Sequence, residues 1–461
     1  MDMKIFTLSS ILLAISVQSA CLAQFPDNSD NFALSLVAGL VLSDSPEFAG
    51  IRVSRSTPQA FTNATPESPL FDQRDFASGT FANVTTLNSL PIPRQDVYFL
   101  NGGVDFQANN TGDRAIQFLA PAILPGGQIG SAVVGAPTAH SIGLLRQLSS
   151  SANINLQTRQ GSGGALSTAT DPTTTLGLVR FNRAVGSAAI VRKTAPQPIP
   201  NNALTAATFQ VADYDTGNYY SAAQQDRLTI PETGVYLIVG NARLAATGSA
   251  SGRGVEIFIN GSTAIARDVR IAGATAAAAQ DVSAVYRLNA GDTVAMRYYH
   301  NGGGSHNLLA NLTMMAIARL DANAPSTRNV LLRRAAVTIP SVATGANTPL
   351  ALSTVQRVDS AYVIANPANT TIVQSGLYLI VGNVQFANTG FARRNLELKV
   401  NAAAVAVETR NAGPGGHGAL NVVHMRQLNA GDTVQISVIQ NTGGNLGLVA
   451  AGCFLQMIKL D

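Results

Sequence analysis

Five histidines and two recurring aspartates are the residues of this chain best suited to chemistry. His300 and His306 flank the loop Asn301-Gly302-Gly303-Gly304-Ser305, with Tyr299 beside the first of them. Two imidazoles so placed could begin a transition-metal site, but such a site wants a further Asp or Cys ligand held rigidly nearby. A glycine loop offers no such rigidity, so they read as two solvated histidines. Tyr299, His300 and His306 stay as a candidate ligand-binding patch, although strand alternation turns at least one of Tyr298 and Tyr299 inward. His417 and His424 read in the same way, across a turn and a strand from each other. Asp292 and Asp432 each close an Asn-Ala-Gly-Asp sequence. Oxygen donors on a loop suit calcium. An Asp so placed also accepts hydrogen bonds from its own turn, and that reading accounts for the whole tetrapeptide.

Signatures of catalysis are missing. The glycine runs lack the spacing of a phosphate loop, and no helix follows them. There is no GxSxG and no HExxH, and no order of Ser, His and Asp suggests a triad. The expectation is a non-enzyme, with no catalytic residue, no organic cofactor, and calcium as the one metal to consider.

What positions these residues is a repeat. Thr233-Gly234-Val235-Tyr236-Leu237-Ile238-Val239-Gly240-Asn241 returns as Ser375-Gly376-Leu377-Tyr378-Leu379-Ile380-Val381-Gly382-Asn383. Leu-Asn-Ala-Gly-Asp-Thr-Val occurs at 288–294 and again at 428–434. A diverged first copy keeps Tyr98 and Leu148, while Ser151 and Ala152 replace the Gly-Asp pair. Leu148, Leu288 and Leu428 are spaced by 140 residues. That period is too long for a solenoid and fits a small domain. The expected organisation is a diverged copy at 48–185, a second at 186–324 and a third at 325–461, joined by short links.

Within each copy the local signals are those of strands. Val235–Val239 is continuously apolar, as for a strand covered on both faces. Residues 255–259, 396–400 and 115–119 alternate polar and apolar, as for a sheet with one wet face. Asn260-Gly261 signals a hairpin. Gly234 and Gly376 mark either a left-handed turn or a close approach. Last strands are expected over 176–181, 309–320 and 448–460. No segment reads as a helix, so the class is all-β, eight to ten short strands per copy, in a two-sheet sandwich or jelly roll.

The totals narrow the function classes. The formal charge is +4 over 461 residues, with no Lys/Arg cluster, so nucleic-acid binding has no electrostatic support. Residues 1–23 have the order of a secretory signal peptide: Lys4, an apolar run from Ile5 to Val17, then Ser19-Ala20-Cys21-Leu22-Ala23. The run is too short to span a membrane, and no integral segment is expected after its removal. Residues 24–47 form an extension with one apolar stretch, 32–42. Cys453 is left alone after cleavage, so no intrachain disulfide can form; it reads as a small buried hydrophobe. Secretion to the extracellular space or cell surface is the expected location.

The order of a Gly-x-Tyr strand, an alternating strand, a Leu-x-x-Gly-Asp-x-Val turn and strand, a glycine loop and an apolar last strand resembles the C1q/tumour-necrosis-factor-like domain. Gly234, Tyr236, Leu288, Gly291, Asp292 and Val294 carry the resemblance in the second copy. Gly376, Tyr378, Leu428, Gly431, Asp432 and Val434 carry it in the third. The resemblance implies a ten-strand jelly roll that works as a trimer, with ligands on outer faces or in grooves between protomers, and calcium near the axis in some members. Three copies in one chain then suggest an intramolecular pseudo-trimer. The alternative is three separate units that recruit partners or stack into a homo-oligomer. The implied partners are a protein or glycan surface.

Overall fold

A computed structural model describes residues 49–461 apart from 134, 170–172, 182–186, 249–250, 273–276, 322–329, 335–340, 365, 388–391 and 413–417. The signal-like segment, the 24–47 extension, Gly186, most of the join between the second and third copies and His417 lie outside the described residues.

Eight main strands recur in each third of the chain. In the first they are β1 (Ala49–Ser54), β2 (Gln73–Ala77), β3 (Asp96–Phe106), β4 (Asp113–Ala120), β5 (Ala122–Ser131), β6 (Thr138–Leu148), β7 (Asn153–Gln160) and β8 (Thr175–Phe181). In the second they are β9 (Ala188–Arg192), β10 (Val211–Asp215), β11 (Gly234–Leu244), β12 (Ser251–Ile259), β13 (Thr263–Ala272), β14 (Ala278–Leu288), β15 (Thr293–His300) and β16 (Met314–Arg319). In the third they are β17 (Val330–Arg334), β18 (Thr354–Val358), β19 (Gly376–Gln385), β20 (Ala392–Val400), β21 (Ala403–Ala412), β22 (Ala419–Leu428), β23 (Thr433–Gln440) and β24 (Phe454–Lys459).

The strand order is the same each time. One sheet runs β2-β1-β8-β3-β6, and its counterparts run β10-β9-β16-β11-β14 and β18-β17-β24-β19-β22. The other runs β7-β4-β5, repeated as β15-β12-β13 and β23-β20-β21. The ladders are antiparallel throughout, as in β3 with β6, β11 with β14 and β19 with β22. The fold is all-β, as expected, and among the described residues the helical elements are two short 3-10 turns.

Alternation decides what each sheet buries. Along β15, Val294, Met296 and Tyr298 point into the sandwich and the residues between them are partly exposed. The central strands are different: every residue of β3 and β19 is buried. In β11, Tyr236 and Ile238 enter the core of their own sandwich. Val235, Leu237 and Val239 join a cluster with Val97 and Phe99 of the first third and Leu377, Leu379 and Val381 of the third. The second face of each central sheet is thus covered by the other thirds, which explains the continuous apolar runs. A ladder pair, Val269 with Ala419, even joins β13 to β22 across the boundary.

The last strands of the second and third copies begin later than the apolar runs suggested, while that of the first, Thr175–Phe181, lies where expected. β16 starts at Met314 because Asn311 sits at a φ of 59° and breaks the extended path. β24 starts at Phe454 because Ala450–Gly452 form a 3-10 turn. The hairpin at Asn260-Gly261 has φ of 50° and 69°, as that dipeptide predicts. Its third-copy counterpart is Asn401-Ala402, where the alanine sits at 67°. A left-handed alanine costs about 1–2 kcal/mol that glycine does not. Replacing Ala402 with Gly is therefore expected to stabilise the protein by up to about 1 kcal/mol after the glycine's entropy, read as a raised urea midpoint.

Candidate functional site

The structure brings Tyr299, His300 and His306 together but does not leave them all solvated. His300 is fully buried. Its Nε2 lies 2.8 Å from the Ile199 carbonyl, to which it donates, and its Nδ1 accepts from the Gly302 amide at 3.2 Å. Burial holds its pKa below the ordinary value, so the ring is neutral. His306 is partly exposed, stacks edge-on at 5.1 Å and donates from Nε2 to Gly303. The Tyr299 hydroxyl reaches Asn202.

Comparison across the thirds explains His300. Its ladder partner is the buried Arg253, and the same register sets Gln160 opposite Arg114 and Gln440 opposite Arg394. Gln160 and Gln440 each donate to Gly164 or Gly444 and accept from the amide of Ser162 or Thr442, bracing their glycine loops as His300 does. His300 is therefore a loop strut. Replacing it with Gln is expected to leave stability within about 1 kcal/mol of wild type, whereas His300→Ala leaves the loop unbraced and costs more; thermal melts of the two variants check this. His424 is likewise buried, not solvated, inside the third copy's central sheet.

Asp292 and Asp432 work inside their turns. Asp292 accepts from the Asn289 amide at 2.7 Å and from Asn260 Nδ2 at 2.8 Å; Asp432 accepts from the Asn429 amide at 2.8 Å and from Asn401 Nδ2 at 2.7 Å. Gly291 and Gly431 sit at φ of 88° and 95°, so each turn needs its glycine. Among the described residues no group of three or more His, Cys, Asp or Glu is arranged to hold a metal ion.

The repeat markers are structural. Tyr98, Tyr236 and Tyr378 are fully buried, and each hydroxyl donates to a carbonyl four residues upstream, at Arg94, Glu232 and Gln374. Each ring meets an aromatic edge-on: Phe81 at 6.4 Å, Tyr219 at 6.2 Å and Tyr362 at 5.9 Å. Gly234 is a close-approach glycine, since a Cβ there would lie 2.6 Å from Arg319 Nε and Asp321 Oδ1. Gly376 is crowded in the same way by Lys459 and Asp461. Cys453 is buried and its thiol is pushed up to about 12 by burial.

A cluster that no sequence motif announced lies where the three thirds meet. Gly143, Ser283 and Val423 occupy equivalent places on β6, β14 and β22. A Cβ on Gly143 would lie 2.8 Å from Ser283 Oγ and 3.1 Å from Val423 Cγ1. Around this point the polar groups of different thirds satisfy one another. Asn101 donates to the Val423 carbonyl at 2.9 Å and Asn241 to that of Gly143 at 3.1 Å. Asn421 exchanges two bonds with the Ser283 backbone, and Ser141 Oγ donates to Val423.

Charged residues join them. Arg410 reaches Glu408 at 2.6 Å, Gln128 Oε1 at 2.9 Å and Asp268 at 3.6 Å. Arg270 pairs with Asp268. Asp281 accepts from the Gly143 amide at 3.0 Å and from Gln128 Nε2. Glu408 accepts from the Ser141 amide at 2.9 Å and faces His140 Nδ1 at 3.3 Å. All these side chains are buried. The arrangement can do two things chemically: fix the thirds in one relative register, and hold protons away from water.

No family model matches the chain, and no curated protein matches it. Solved structures do. A crystal structure of murine APRIL at pH 5.0 aligns at 18% identity over 29% of this chain and 100% of that one, with a TM-score of 0.24. Eiger TNF from S. frugiperda aligns at 15% identity over 31% and 97%, with a TM-score of 0.23. Rabbit GITRL aligns at 19% identity over 29% and 94%, with a TM-score of 0.21. Each of these structures matches less than a third of the chain.

Proposed function

We propose that this is an exported, non-enzymatic recognition protein. Three C1q/TNF-like jelly rolls, at 48–185, 186–324 and 325–461, close around a common axis as a single-chain pseudo-trimer. A protein or glycan surface is engaged by the exposed loops or by the three unlike grooves between copies. The observation that carries the reading is the meeting of Gly143, Ser283 and Val423, one residue from each copy, beside an apolar cluster to which all three copies contribute. A rigid scaffold of this kind presents loops at fixed separations, and because the copies differ, each groove offers a different surface. The test is binding of residues 24–461 to cells and to a glycan array. Saturable binding by a particle of constant size supports recognition; turnover in a hydrolase screen contradicts it.

A second reading, a self-assembling coat or envelope component, has one observation in its favour. Val355, Val358, Val363 and Val373 of the third copy are all exposed, and the first two lie on β18, which among the described residues pairs only with β17. An edge strand that exposes apolar side chains is a template for further pairing. Growth of the particle with concentration, lost on deleting residues 24–47, would select this reading.

A further inference from the structure

The charges at the meeting point do not balance. Asp268, Asp281 and Glu408 bring three carboxylates, and Arg270 and Arg410 bring two guanidiniums. Facing Asp281 are Gln128 from β5, the Gly143 amide from β6, Asp268 and Arg270 from β13, and Arg410 from β21, while His140 and Glu408 face each other beyond Arg410 and Asp268. Beyond His140 stands the buried Arg114 of β4, whose counter-charge is its neighbour Asp113 and which is therefore left out of this count. His140 is neutral, because burial and the nearby arginines hold its pKa well below the ordinary value. One negative charge is thus left uncompensated where none of these side chains is more than 5% exposed. An isolated buried charge is expensive, and such a group takes up a proton instead. Asp268 and Glu408 each contact an arginine, while Asp281 makes no ion pair among the contacts found for it.

We propose that the junction binds one proton at neutral pH, seated on Asp281, and that its loss in alkaline solution loosens the contact between the three copies. Burial, with Asp268 nearby, pushes the Asp281 carboxyl up to about 8, against the pull of Gln128, Arg270 and the Gly143 amide. Glu408 is raised to about 7, again by burial. A carboxyl that keeps its proton folded and sheds it unfolded stabilises the fold in full below its unfolded value of 3.8. That contribution declines as the pH rises and is gone once it passes about 8. Asp281 links β14 of the second copy to β5 and β6 of the first, so the weakening falls on an inter-copy contact. This holds whatever ligand the protein takes.

The experiment is calorimetric unfolding of the full chain at pH 7 in two buffers of different ionisation enthalpy, which counts protons released. Wild type is expected to release about one proton more than Asp281→Asn, and its melting temperature is expected to fall further between pH 6 and pH 9 than the variant's. His140, Glu408 and the buried Lys193 titrate in both proteins and cancel. Equal proton release and parallel melting curves would overturn the proposal. Infrared spectroscopy of wild type keeps the test open if the variant does not fold. The folded protein should show the carbonyl stretch of a protonated carboxyl at pH 7.5, above the value of about 7 that Glu408 reaches, and lose it by pH 9; its absence at pH 7.5 refutes the bound proton.

Discussion

Arg410→Ala is expected to destabilise the whole chain by about 3–5 kcal/mol, the range seen when one partner of a buried ion pair is removed. Arg410 belongs to the third copy, yet it bonds Gln128 of the first, approaches Asp268 of the second and pairs with its own Glu408. Its loss leaves Asp268, Asp281 and Glu408 with Arg270 as the remaining cation of the group, and frees Gln128 Oε1 of its donor. The penalty is electrostatic, so it should shrink as the pH drops and the carboxyls take up protons. Urea unfolding at neutral and mildly acidic pH reads both effects. A loss that does not change with pH would assign the cost to lost packing.

Gly143→Val is expected to cost about 1–3 kcal/mol or more by overpacking. The added Cβ would press on Ser283 Oγ, Val423 Cγ1 and Phe99, and the two methyl groups beyond it have no room on an element bounded by two other copies. Gly164→Val is the matched control. Nothing lies within 4 Å of a Cβ at that position, and its backbone is not in the left-handed region, so the change there should stay within about 0.5 kcal/mol. If both variants melt like wild type, the three copies do not meet at Gly143.

The fold was largely readable because its signals are local. Alternation in 255–259 and 396–400, the Asn-Gly hairpin and the repeated turns each report on a few neighbouring residues, and the repeat multiplies them. Boundaries slipped where an apolar run continued through a break in backbone direction, as at Asn311 and Ala450. The site was less readable. His300 looked solvated because a glycine loop follows it. The informative comparison was vertical, with Gln160 and Gln440 at the same register in the other copies. The buried junction left a similar trace: Gln128, Asp268 and Glu408 are 140 residues apart, as are Ser141, Asp281 and Asn421, and Arg270 and Arg410. These polar residues interrupt strands otherwise built for burial. Asp268 with Arg270 and Glu408 with Arg410 are pairs two residues apart, but the partners that join the copies lie some 140 or 280 residues away, so no short motif could reveal the junction. Gly130 stands where the other copies have Arg270 and Arg410, and His140 Cε1 would lie 3.3 Å from a Cβ there, an asymmetry that only the assembled junction makes sense of.

The most direct test of the account is the mass and shape of residues 24–461 in solution, by light scattering joined to small-angle X-ray scattering. A compact particle with the mass of one chain is predicted, because the outer apolar face of each central sheet already packs against residues of the other two thirds. An elongated particle, or one with the mass of three chains, would contradict it: the copies would then be separate units whose central sheets find their partners on other molecules.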